Sequence, residues 1–171
     1  LGITMPAQEG SASAHAGKGA ESTEEYGVIL AASLAYQMLH ANHAVGLISY
    51  DQGPLWVPAR RGHNQLWEIL RVLAGAHAVS ERPLHELLAL FEPVMGRGMS
   101  AAIITPSTDA SWLEGVTGLM RHGIHSTAVL LDAATFGGNG NVRGMMGALA
   151  DIGVTSYLIE QGFRFPYISQ Q

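Results

Sequence analysis

Apolar positions along this chain follow two rhythms in turn: short unbroken runs, and longer stretches spaced i, i+3, i+4, i+7. Ser22 and Glu25 announce the first long stretch as a capping box, hydroxyl and carboxylate each satisfying an orphan amide of the first turn. The helix runs through YGVILAASLAYQMLH and is apolar almost all round, so burial on more than one side is expected, with an end near His40 to His43. AVGLISY (44–50) reads as a buried strand. Asp51-Gln52-Gly53 turns the chain, and LWVPA (55–59) is the hairpin partner. Pro58 cannot donate to a ladder, which places that partner at a sheet edge. Leu66, Ile69, Leu70 and Leu73 mark a helix with Asn64 available as cap; Leu84, Leu87, Leu88 and Phe91 mark another, opening with Pro83 in its first turn.

The remainder alternates in the same way. A strand at 100–105 precedes a helix at 110–122 with Leu113, Val116 and Met120 on one face. STAVLLDA (126–133) is the next strand, followed by a Gly/Asn loop and a helix carrying Val142, Met145, Met146, Leu149 and Ile152. Gly153 closes that helix, and TSYLIEQG (155–162) is the last strand. Strand–helix alternation with short loops implies right-handed crossovers, hence an α/β fold: three layers, a mostly parallel twisted sheet with helices on both faces. The hairpin adds one antiparallel edge strand, and in this the pattern resembles the von Willebrand factor A architecture. Ligands of such sheets sit outside the carboxyl ends of the strands, at the point where strand order reverses.

Composition narrows the function classes. At 171 residues, 47% hydrophobic and 13% charged, the chain is one globular domain with a proper core. A net charge of −5 leaves no electrostatic footprint for nucleic acid, and Arg60-Arg61, the only basic doublet, reads as solvated loop. With no cysteine there is no disulfide, thiolate nucleophile or thiolate metal site, which fits a reducing compartment. No apolar stretch reaches the roughly 18 residues of a membrane helix, and no leader precedes a cleavage site. The chain opens at Leu1 without Met, so it is expected to be a fragment of something longer.

Candidate chemistry centres on MSAAIITPSTDASW (99–112), where an apolar run empties into Ser107, Thr108 and Asp109. Asp109 could ligate Mg²⁺, but one of the three must also cap the helix carrying Trp112, and capping outweighs ligation. GGNGN (137–141) lies where a phosphate loop would lie, with Arg143 beside it, yet lacks the G-x-G-x-x-G and G-K-[ST] spacings and reads as a strand-to-helix turn. GMSAA (98–102) is no nucleophile elbow, because its strand follows the Ser instead of preceding it. His40 with His43, and His122 with His125, form H-x-x-H pairs at helix ends, where the dipole alone favours them and no third ligand accompanies either. Trp56 and Trp67 read as packing residues of the edge strand and the helix beside it; exposure of Trp56 would instead point to a partner surface.

From Glu24 to about Phe163 the chain resembles the bacterial family called domain of unknown function 58, a branch of the von Willebrand factor A-like proteins. EEYGVILAASLAYQML, AVGLISYD, RRGHNQLWEILRVLA and RPLHELL before the strand AAIITP carry the likeness, in that order. The resemblance implies a parent protein with N-terminal membrane helices, working beside MoxR-type AAA+ ATPases in assembly or maturation. It also implies a Mg²⁺ site built from Asp-x-Ser-x-Ser after the first strand, a Thr in the second half, and an Asp ending the fourth strand. Here LGITM is the candidate first strand, and Glu9-Gly10-Ser11-Ala12-Ser13 mimics the motif with Glu for Asp. Arg82 in Glu81-Arg82-Pro83-Leu84 takes the Thr position, and Asp109 comes three residues after Pro106, where the strand-ending Asp falls. All three elements depart from the pattern, so a degenerate site is expected, with Asp109, Ser11 and Ser13 its remaining metal candidates.

The expectation is therefore a non-enzymatic interaction domain over residues 21–165, with a first strand and flexible Ala/Gly/Ser-rich loop in 1–20 and a tail at 166–171. Arg60, Arg61, Arg82, Ser107, Thr108 and Asp109 are the candidate rim for a protein partner, which the resemblance makes a MoxR-type ATPase. No catalytic residue, cofactor, nucleic acid or membrane segment is expected in the fragment. Its place is the cytoplasm, as itself or as the soluble part of a membrane-anchored parent. The alternatives are a Mg²⁺-dependent adhesion-type domain using Asp109 with Ser11 and Ser13, and a phosphate- or small-molecule-handling enzyme built on the 137–143 loop.

Overall fold

Three helices of this chain end in one and the same device, and each ending delivers a strand. The computed structural model describes residues 2–4, 22–50, 53–75 and 83–165. Its elements are β1 (Gly2–Thr4), α1 (Thr23–His40), β2 (Val45–Tyr50), β3 (Pro54–Arg60), α2 (His63–Gly75), α3 (Leu84–Phe91), β4 (Ser100–Thr105), α4 (Trp112–Arg121), β5 (His125–Leu131), α5 (Val142–Asp151) and β6 (Thr155–Ile159). After α1, α4 and α5 the chain enters the left-handed region at Asn42 (φ 60°), Gly123 (φ 76°) and Gly153 (φ 78°). At each, the left-handed residue donates to the carbonyl three back (Leu39, Met120, Ala150) and its successor to the carbonyl five back (Met38, Leu119, Leu149). This is the Schellman arrangement, which satisfies the last free carbonyls and reverses the chain. Ser22 caps the front of α1, its hydroxyl accepting from the Glu25 amide at 3.2 Å.

The strands form one sheet in the order β3-β2-β1-β4-β5-β6. All neighbours are parallel except β2 and β3. The hairpin and the edge position of β3 thus follow the sequence pattern, while Asp51 and Gln52 of its turn lie outside the described residues. Pro58 has a further role. Val45 pairs with Arg60 but Leu47 with Val57, so Pro58 and Ala59 bulge opposite Gly46. The β3 backbone comes so close that a Cβ on Gly46 would stand 2.7 Å from the Val57 oxygen. Gln65 of α2, only 3% exposed, closes the bulge: its Nε2 donates to the carbonyls of Val45 (2.7 Å) and Pro58 (2.9 Å).

Both sheet faces are buried, which explains the unbroken apolar runs. Val45, Leu47, Ile104, Val129 and Leu131 pack with residues of α1 and α2. Ile48, Ile103, Ala128 and Leu130, the alternate positions, pack with α3, α4 and α5. Some expectations shift. The helix after β3 begins at His63, so Asn64 sits inside its first turn and not at its cap. The buried face of α4 is Trp112, Val116 and Leu119, and Met120 faces solvent, because the i, i+4, i+7 stripe that starts at Trp112, and not the one from Leu113, meets the core. β5 ends at Leu131 and β6 at Ile159, short of the expected 133 and 162, because Asp132 and Glu160 leave the ladder at the apolar-to-polar boundary. No helix of the described residues is long and apolar enough to cross a membrane.

Candidate functional site at the carboxyl ends of the central strands

Chain order runs outward from the sheet centre in both directions, β1-β2-β3 one way and β4-β5-β6 the other. The reversal lies between β1 and β4, and the segment leaving β4 is Pro106-Ser107-Thr108-Asp109. Its polar groups hold its own backbone in a relay. Thr105 Oγ1, fully buried, accepts from the Ser107 amide at 2.9 Å. Ser107 Oγ accepts from the Asp109 amide at 3.3 Å, and Asp109 Oδ1 from the Ser111 amide at 2.7 Å. The last bond is a helix cap in effect, since Ala110 already accepts from the Leu113 amide at 3.1 Å and Asp109 thus sits ahead of the first turn. Ser111, at the formal start of α4, makes no side-chain cap of its own; its hydroxyl lies 3.2 Å from His85 Nδ1 of α3.

The loop after β5 meets this segment from the side. A Cβ on Gly140 (φ 153°) would lie 3.2 Å from both Thr108 Oγ1 and Cγ2, so GGNGN leans against the Thr108 side chain. Its last residue, Asn141, caps α5 by accepting from the Gly144 amide at 3.0 Å. At the base of the loop Asp132 Oδ1 accepts from the Ala134 amide at 3.1 Å, and Thr135 Oγ1 accepts from the Gln161 amide at 2.9 Å. Polar side chains after β4 and β5 are thereby spent on turn geometry, one of them on the turn after β6.

The structure divides the expected rim. Ser107, Thr108 and Asp109 stand together at the carboxyl end of β4, but Ser107 is buried, its hydroxyl turned to the Asp109 amide, so only Thr108 and Asp109 reach the rim. Arg60 and Arg61 do not join them: β3 is antiparallel, and Arg60 pairs with Val45, the first residue of β2. The two groups are about 20 Å apart along the strands. Arg82, Ser11 and Ser13 lie outside the described residues. Among the described residues no group of three His, Asp or Glu side chains could hold a metal ion. The histidine pairs separate into local roles, His40 Nδ1 at 2.9 Å from the Tyr36 carbonyl, and His122 Nδ1 at 2.6 Å from Glu92 Oε1.

The tryptophans overturn their reading as packing residues. Trp56 is 51% and Trp67 59% exposed. Trp67 Nε1 donates to His63 Nε2 at 3.1 Å on the outer face of α2. Two contributors escaped the sequence pattern: Gln65, whose burial depends on a bulge, and Thr105, whose hydroxyl hides inside an apolar run.

The chain matches the family model described as protein of unknown function DUF58 over residues 3–109, from β1 to the capping aspartate. No curated protein matches it. Among solved structures it is similar to the crystal structure of conserved hypothetical protein BatB from Bacteroides thetaiotaomicron, with a TM-score of 0.62 at 15% identity, covering 95% of this chain and 91% of that one. At that identity the likeness is one of fold.

Proposed function

Because the chain belongs to the DUF58 family of proteins of unknown function, we propose that it is a non-enzymatic protein–protein interaction domain of three-layer von Willebrand factor A type. Its contact surface is the rim formed by Thr108 and Asp109 over the buried Ser107, with the Gly140 loop beside it. The relay at the end of β4 carries this reading: Thr105, Ser107 and Asp109 each hold a backbone amide. Mg²⁺ demands near-ideal octahedral oxygens at about 2.0–2.1 Å. Turning Asp109 toward a cation would uncap α4, at about 1 kcal/mol. Asp109, the metal candidate among the described residues, is thus committed to its own helix, and the rim is read as metal-free. The partner implied by family resemblance is a MoxR-type AAA+ ATPase, met in the cytoplasm by this chain or by the membrane-anchored parent that carries it.

Two measurements test the reading. Calorimetric titration of Mg²⁺ and Mn²⁺ into the chelator-treated protein should show no saturable heat in wild type or Asp109→Ala; binding lost in Asp109→Ala would make this a metal-dependent adhesion module. Binding of a MoxR-type ATPase from the same genome should weaken at least about tenfold in Thr108→Arg. An unchanged affinity would remove the rim from the interface.

A further inference from the structure

The opposite end of the sheet carries a surface of another kind. Where β2 and β4 begin, Gly46, Trp56, Val94, Met95 and Met99 line a cavity of about 230 Å³. At its floor Gly46 is pressed against the β3 bulge, where a Cβ would stand 2.7 Å from the Val57 oxygen. Its walls reach solvent: Val94 is 47% exposed, and the half-exposed indole of Trp56 is held on one side by Phe91, ring centroids 6.3 Å apart. Small-molecule sites occupy about 300–1,000 Å³, so this space suits a single apolar side chain better than a cofactor.

The surrounding charge is basic, on a chain whose net charge is −5. Arg61 follows β3 just beyond Ala59, which lines one wall, and Arg97 lies between Met95 and Met99 on the other; both are exposed, while Arg60, paired with Val45, faces the α1 and α2 side of the sheet. Glu92 is held by His122, and Asp151 closes α5 before β6, the strand at the other edge of the sheet. Trp, Met and Arg are the residues enriched in interface cores, and an apolar anchor site with charges around it is the layout of a binding hot spot.

We infer that this groove docks an acidic segment of a partner protein, seating one large apolar side chain between Trp56, Val94 and Met95 and setting carboxylates against Arg61 and Arg97. The segment does not add as a strand, because Pro54 and Pro58 remove two amide donors from the free edge of β3. The surface lies about 20 Å from Asp109 and is independent of the rim.

Panning a random peptide library against the intact chain, with counter-selection on Val94→Glu, is expected to enrich sequences that pair one Leu, Phe or Trp with flanking Asp or Glu. A synthetic enriched peptide, followed by fluorescence anisotropy, should bind Arg97→Glu and Val94→Glu at least about tenfold more weakly than wild type. Replacing its anchor by Ser should cost as much, Thr108→Arg nothing, and thermal unfolding of the exposed-site variants should match wild type. Enrichment of basic or purely polar sequences, no enrichment, or a loss with Thr108→Arg would overturn the assignment. So would self-association abolished by Val94→Glu, which marks a second copy as occupant, or phosphatidylserine-vesicle binding abolished by Arg97→Glu, which marks a membrane.

Discussion

Asp109 and Gln65 do comparable work by opposite routes. Asp109 is a polar residue at a helix start, and its bond to the Ser111 amide is what capping chemistry asks of that position. Gln65 stands at an apolar position of α2, where hydrophobic spacing alone would place a leucine. It is buried because the β3 bulge leaves the Val45 and Pro58 carbonyls facing inward, and a two-hydrogen amide reaches both. Gln65→Leu keeps the volume but abandons both acceptors, and should lower unfolding free energy by about 1–3 kcal/mol in urea melts. A loss below about 0.5 kcal/mol would mean that something else satisfies those carbonyls. No periodicity foretells such a residue, because the acceptors it serves arise only when two strands pair out of step.

Among the elements, the helix endings were the most legible parts. Gly153 reads from sequence as a terminator, and Gly123 and Asn42 prove to act in the same way. Asn42 is the one non-glycine in the left-handed region among the described residues. Asn42→Gly should therefore gain up to about 1 kcal/mol, and Asn42→Val lose about 1–2 kcal/mol, both by chemical denaturation. Equal stability of the two variants would mean that the turn is not under this constraint. The hairpin was legible too, yet its consequence for Arg60 and Arg61 was not carried through. A hairpin returns the chain to the end it started from, so residues after β3 cannot share a rim with residues after β4. The exposure of Trp56 had no such signal, since it depends on how far α3 reaches over the edge strand.

At the scale of the whole molecule, three residues occupy the centre. β1, Gly2–Thr4, pairs with both β2 and β4, which do not pair with each other. A chain beginning at Ser22 would leave four backbone-lined strand edges where there are now two, and should lose its cooperative thermal transition by circular dichroism. A transition within a few degrees of the intact chain would show that the two halves close without β1. The same topology makes two poles: a rim of self-satisfied turns at one end, and a basic, aromatic-lined groove at the other. The sequence by itself determined the α/β class, nearly every element, the edge placement of β3 and that one of Ser107, Thr108 and Asp109 caps the helix after β4, because each rests on spacing within a few residues. Only the tertiary structure decided which pole Arg60 and Arg61 join, why Gln65 is buried, and that Gly46 and Trp56 line one cavity. Those outcomes depend on strand direction, register and helix coverage, contacts between segments far apart in the chain that no local pattern encodes.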